Sequence, residues 1–121
     1  MDWIGTWKNQ FGSAVEITND ADGKIEGIFS TALQDSGFFG KRLSISGIHL
    51  GDCISFSFAD STRVGDMLCS FSGLLRDGKI ETMWHVIADG QGVGGISQGE
   101  VKKRSWPHAV TTNADTWSRA D

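Results

Sequence analysis

Asn19-Asp20-Ala21-Asp22-Gly23-Lys24-Ile25-Glu26-Gly27-Ile28-Phe29-Ser30-Thr31 sets a turn directly against a strand. Asp and Gly accept positive φ, so 19–23 reads as a hairpin turn. In 24–31, Ile25, Gly27 and Phe29 alternate with Glu26, Ile28 and Ser30, the period of a half-buried strand. The same grammar repeats outward in both directions. Strands are expected at 3–9, 14–18, 41–49, 53–58, 67–75, 79–88 and 96–104, besides 24–31. Gly12, Leu50-Gly51-Asp52 and Asp77-Gly78 supply turns, while 32–40, 60–66 and the glycine-rich 89–95 read as loops. In 41–49, Leu43, Ile45 and the small Gly47 share one face.

Eight short strands in series, each joined to the next by a hairpin-sized connection, predict an all-β, eight-stranded antiparallel up-and-down barrel. Closure removes the exposed edges that a flat meander would leave. A barrel of this size holds side chains or one small ligand. A two-sheet sandwich is the competing architecture. The expected domain limits are 3–104 for the barrel and 105–121 for a polar C-terminal tail carrying Trp106 and Trp117.

Composition agrees. The 121 residues make one domain, 39% hydrophobic and 21% charged, with 16 glycines, one proline and no long helical periodicity. A net charge of −4 argues against nucleic acid as a partner. The lone basic run, Lys102-Lys103-Arg104, reads as a solvated strand end. No apolar run has membrane-spanning length, and no signal peptide is visible after Met1. The expectation is a cytoplasmic protein if Met1 is the natural start, and a secreted or periplasmic one if a signal has been removed.

The motifs of chemistry are absent or incomplete. Gly90-Gln91-Gly92-Val93-Gly94-Gly95 satisfies G-x-G-x-x-G but has no helix after it to hold a phosphate. Asp20-Ala21-Asp22-Gly23 lacks the remaining ligands of a calcium loop. His49, His85 and His108 are scattered, with no readable catalytic grouping. The reading is therefore no catalytic residue, no metal and no cofactor. Cys53 and Cys69 are too few for a disulfide framework. Alternation turns Cys69 inward with Phe71 and sets Cys53 on the parity opposite to Phe58, so no disulfide is expected between them.

Gly5-Thr6-Trp7-Lys8-Asn9-Gln10-Phe11-Gly12-Ser13 resembles the opening strand of streptavidin and the bacterial avidins, G-T-W-x-N-Q-x-G-S. Residues 21–32 are similar to the family's A-D-G-x-x-x-G-x-Y-x-S-A, and Ile80-Glu81-Thr82-Met83-Trp84 to I-x-T-x-W of its seventh strand. Ser72-Gly73 matches the dipeptide after a binding-site tryptophan. The resemblance spans roughly 3–104 and implies a barrel that binds a small molecule, biotin or a biotin-like ligand.

Carried over position by position, the resemblance implies a pocket that has changed. Asn9 and Ser13 match the family's contacts to the ureido oxygen of biotin, but its strand-three Tyr is Phe29 here. Thr31 stands at a Ser that accepts a ureido N–H. Trp84 is retained, whereas Phe58 and Phe71 replace two tryptophans of the cage. Met67 and Cys69 replace the Ser and Thr that hold the biotin carboxylate, and Val101 aligns best with the Asp of the last strand. By alternation Met67, Cys69, Phe71 and Gly73 share one inward face, and Thr82, Trp84 and Val86 another. The bland alternative is that these residues only fill a core. Asn9 and Ser13 argue against it, because a polar group is costly to bury without a partner.

The expected function is a binding barrel for biotin or a similar ring, with affinity weakened by the substitutions. The alternative is a barrel that has turned to a more apolar metabolite, extending to a template enzyme for such a substrate. The segment 89–95 is short and carries no Trp, so it looks like that of the short dimeric avidins. A homodimer is expected, with a tetramer as the alternative.

Overall fold

The computed structural model describes residues 2–31, 40–62, 65–92, 101–103 and 105–120. Its elements are β1 (Gly5–Asn9), β2 (Ser13–Asn19), β3 (Lys24–Thr31), β4 (Arg42–Leu50), β5 (Cys53–Thr62), β6 (Gly65–Arg76) and β7 (Lys79–Ala88), then β8 (Gly90–Gly92), β9 (Val101–Lys103), a single turn α1 (Trp106–Ala109) and β10 (Val110–Arg119). Eight of the strands form a closed barrel in the order β1-β10-β7-β6-β5-β4-β3-β2, every neighbouring pair antiparallel. This is the up-and-down barrel rather than the sandwich.

One expectation is corrected. The eighth stave is β10, not residues 96–104, so the barrel extends well past residue 104 and most of the supposed tail is wall. Of 96–104, the described part is β9, which pairs with β8 in a separate two-stranded sheet. The physical reason lies in what β10 faces. Asn113 and Asp115 occupy inward-parity positions because a cavity lies inside them. A strand whose inner face is polar reads in sequence as a solvated tail.

The hairpins form where expected. Asp77 and Gly78 take φ of 52° and 76°, joining β6 to β7 in a two-residue turn. Inward residues follow the predicted parity: Ile25, Phe29 and Thr31 on β3, Ile45 on β4, Cys69 and Phe71 on β6. Gly47 is fixed by close approach, since a Cβ there would sit 1.8 Å from the Ser55 carbonyl oxygen on β5.

One end of the barrel is sealed by Trp3 and Trp7, packed over Ile17 and Ile25, all at most 1% exposed. Trp7 Nε1 donates to the Trp3 carbonyl at 3.0 Å, and the Trp3 amide donates to Asp20 Oδ2 at 2.9 Å. The Arg119 guanidinium lies 4.4 Å from the centroid of the Trp7 ring and donates from Nη1 to the Ile4 carbonyl at 2.9 Å. β10 is thereby tied to the first strand at this end.

Candidate functional site

The opposite end of the barrel is hollow. A cavity of about 280 Å³ opens there, lined by Asn9, Phe11, Ser13, Phe29, Thr31, Phe58, Cys69, Phe71, Trp84, Val86, Asn113 and Asp115. That is at the small end of the range for ligand pockets. Strand ends deliver these residues: Asn9 closes β1, Ser13 opens β2, Thr31 closes β3, and Trp84 and Val86 lie toward the end of β7.

The cavity has a polar side and an apolar side. On the polar side, Ser13 Oγ and Thr31 Oγ1 are hydrogen-bonded at 2.9 Å across the β2–β3 pair. Asn9 Oδ1 accepts from the backbone N–H of Phe11 at 3.0 Å and of Ser13 at 2.9 Å, which fixes the turn. Asn9 Nδ2 donates to Asp115 Oδ2 at 2.9 Å. Asn9 thus makes bonds in two directions within the chain. Its oxygen holds the turn and its nitrogen holds a carboxylate beside the cavity.

Asp115 is 5% exposed, and its second oxygen, Oδ1, has no hydrogen-bond partner. Buried carboxylate oxygens are normally satisfied, so an unpaired one in a residue that lines a cavity calls for a donor. Directly beneath it, Trp117 Nε1 donates to Thr82 Oγ1 at 3.2 Å, and Thr82 Oγ1 donates to the Asp115 carbonyl at 3.2 Å. Those bonds fix the backbone that carries the carboxylate.

The apolar side is an aromatic wall. Phe29 and Phe58 stack with centroids 4.4 Å apart, and Phe56 stacks on Phe71 at 4.9 Å. Phe71 meets the edge of Trp117 at 5.8 Å. Cys69 lines the same cavity, and burial, with the Asp115 carboxylate adding to it, pushes its thiol up to about 12. It is a neutral thiol in this wall. Cys53 is exposed, and both cysteines are free.

Nine of the expected site residues thus line one cavity: Asn9, Ser13, Phe29, Thr31, Phe58, Cys69, Phe71, Trp84 and Val86. Met67 does not line it; it packs half-buried against the core cluster. Val101 is a second correction, because its backbone belongs to β9, outside the barrel, paired with Gly92. The acid that the last barrel strand brings to the cavity is Asp115 on β10, where a Val was expected. Phe11, Asn113 and Asp115 were not expected from sequence. The readable signal for Asp115 was the alternation Asn113, Asp115, Trp117, with an aromatic residue two positions after the acid. The segment 93–100, on which much of the dimer expectation rests, lies outside the described residues. Among the described residues no cluster of His, Cys, Asp and Glu has the geometry to hold a metal ion.

A family model described as the Avidin family matches residues 1–120. No curated protein matches the chain. Among solved structures, the bradavidin2–biotin complex is similar at a TM-score of 0.75 and 16% identity, covering all of both chains. Apo shwanavidin gives 0.75 at 23% identity, covering 100% of this chain and 98% of its own. The rhizavidin–biotin complex gives 0.74 at 19% identity, covering 100% and 98%.

Proposed function

The chain belongs to the avidin family, and we propose that its open-ended cavity binds a small molecule, biotin or a biotin-like ring. The observation that carries this reading is the polar side of the cavity. Ser13, Thr31, Asn9 and Asp115 line one space, and Asp115 keeps a buried oxygen, Oδ1, unpaired beside it. A barrel filled only for stability has no use for a buried carboxylate with an open acceptor. The biotin complexes of bradavidin2 and rhizavidin, which share the fold, make biotin the natural first ligand to try.

The affinity for biotin is expected to be low. Phe29 brings no hydroxyl, and at the positions of the family's carboxylate-holding Ser and Thr this chain has Met67, with no donor, and Cys69, with only a weak S–H donor. Each unmade bond to a buried polar ligand atom costs about 1–3 kcal/mol. Calorimetry should give a micromolar or weaker dissociation constant, and nanomolar binding would refute the weakening. No thermal stabilisation by biotin, desthiobiotin or any cyclic urea would refute the ring-binding reading itself. A second reading, a more apolar metabolite, is favoured by the aromatic wall and would show as stabilisation by apolar compounds alone.

The assembly expected is a homodimer, with a tetramer as the alternative. Support comes from the outer barrel face, where Ile48, Leu50, Leu68, Leu74, Met83 and Ile87 are exposed. Sedimentation at micromolar concentration decides between one, two and four copies.

A further inference from the structure

The mouth of the cavity carries a polar side chain that the fold uses only by half. Asn113 lines the cavity from β10, on the same inward parity as Asp115. Two strand residues rise about 7 Å. Over that step the wall passes from buried Asp115 to exposed Asn113, so the rim lies between them. Of the polar residues that line the cavity, Asn113 is the exposed one: Ser13, Thr31, Cys69 and Asp115 are buried and Asn9 is half-buried. Trp84 is its direct partner across the β10–β7 pair, and the exposed Phe11 lines the same cavity.

The oxygen of Asn113 belongs to the fold. The pairing of β1 with β10 stops at Asn9, opposite Trp117. Toward the mouth, the N–H groups of β10 on that side have no strand to meet. The Thr116 N–H donates to Gln10 Oε1 at 3.2 Å. The Ala114 N–H, on the same side by alternation, donates to Asn113 Oδ1 at 2.8 Å. An N–H needs an acceptor, so this bond fixes which way the amide is turned. The Asn113 Nδ2 makes no hydrogen bond among the described residues. Two N–H donors are thus left at the rim, on a group already oriented by its own oxygen.

Given the reading that the cavity binds a ring compound, we propose that Asn113 is a specificity-determining residue of its mouth. Its Nδ2 donates to a carbonyl or carboxylate oxygen on the substituent that leaves the barrel. The other end is sealed by Trp3 and Trp7, so a substituent on a seated ring leaves by the open end, where Trp84 and Asn113 stand. The site is exposed and the donor is neutral. The bond therefore discriminates between substituents with and without an acceptor and does not set the whole affinity.

The test uses two neutral ligands with the biotin ring. One is biotin methyl ester, whose chain ends in an acceptor; the other is the same ring with an n-pentyl chain. Both are titrated by calorimetry at pH 7 into the wild type and into Asn113→Asp. The aspartate keeps an oxygen for the Ala114 N–H and has no N–H to give, so the melting temperature of the ligand-free protein should not move. The variant should bind the ester about fivefold more weakly, the size of one hydrogen bond, and the pentyl compound within about twofold of wild type. In the wild type, the NMR signals of the Asn113 side-chain amide should shift with the ester and not with the pentyl compound, a readout that needs no variant. Equal losses for both ligands, no loss for either, or amide signals that ignore the ester overturn the role of Asn113 and leave ring binding intact. Binding of neither compound to the wild type overturns both.

Discussion

The two ends of this barrel are built from similar aromatic material and do opposite things. At the sealed end Trp3 and Trp7 are essentially unexposed; Trp7 Nε1 donates to the Trp3 carbonyl, while Trp3 Nε1 is buried without a partner. At the open end Phe29, Phe58, Phe71 and Trp84 surround a space of about 280 Å³. What separates the two is which polar groups the strand ends carry. Asp20 at the sealed end accepts from the Trp3 amide and so completes a bond within the chain. Asp115 at the open end keeps an oxygen that nothing in the described chain satisfies. Aromatic content by itself does not tell a core from a cage. A cavity bordered by an acid with an unpaired oxygen does.

The sharpest way to test this contrast is to damage each end in turn. Trp7→Ala at the sealed end removes a buried ring, its indole hydrogen bond and its contact with Arg119. It should cost about 3–5 kcal/mol in urea denaturation. A cost under ~1 kcal/mol would mean that this end is not the stabilising core.

At the open end, Cys69 predicts how stability responds to alkali. The thiol is held at about 12 in the fold against an ordinary 9.0, so above pH 9 the unfolded chain releases a proton that the folded chain keeps. Its contribution is complete below pH 9 and is lost as pH rises toward 12, on the order of 4 kcal/mol across that window. Cys69→Ala should flatten the alkaline limb of a melting-temperature profile relative to wild type. An unchanged limb would show that the thiol is not held neutral.

A smaller effect separates the two roles of Asn9. Asn9→Ala removes two bonds to the turn and one to Asp115. It should lower stability by about 1–2 kcal/mol and also abolish thermal stabilisation by ring ligands. Loss of stability with an intact ligand response would assign Asn9 to the turn alone.

The smallest change expected is at Ser13 and Thr31. Replacing both, Ser13→Ala with Thr31→Val, removes both members of a hydrogen-bonded pair, so stability should move by less than ~1 kcal/mol. Ligand binding should fall clearly in the same protein. A large loss of stability with unchanged binding would move this pair from the site to the core.

Sequence alone settled much of this molecule, because strand structure writes itself locally. The period of two in 24–31 and 79–88 gave both strands their limits and their inward faces, and the Asp-Gly turns joined them. Nine cavity residues could be named because each sits on a strand whose parity is readable. The rest needed the closed barrel. β10 brings Asp115 to Asn9 across a separation of 106 residues, and no local pattern encodes that meeting. Its inner face is polar because it borders the cavity, so the hydrophobic alternation that betrays other strands is missing there. Val101 was assigned to the last strand for the same reason, since 96–104 was the remaining stretch with strand-like alternation. Closure itself decided which acid faces the cavity. A barrel's last strand must pair with both its first and its seventh, and that double pairing is a property of the whole sheet.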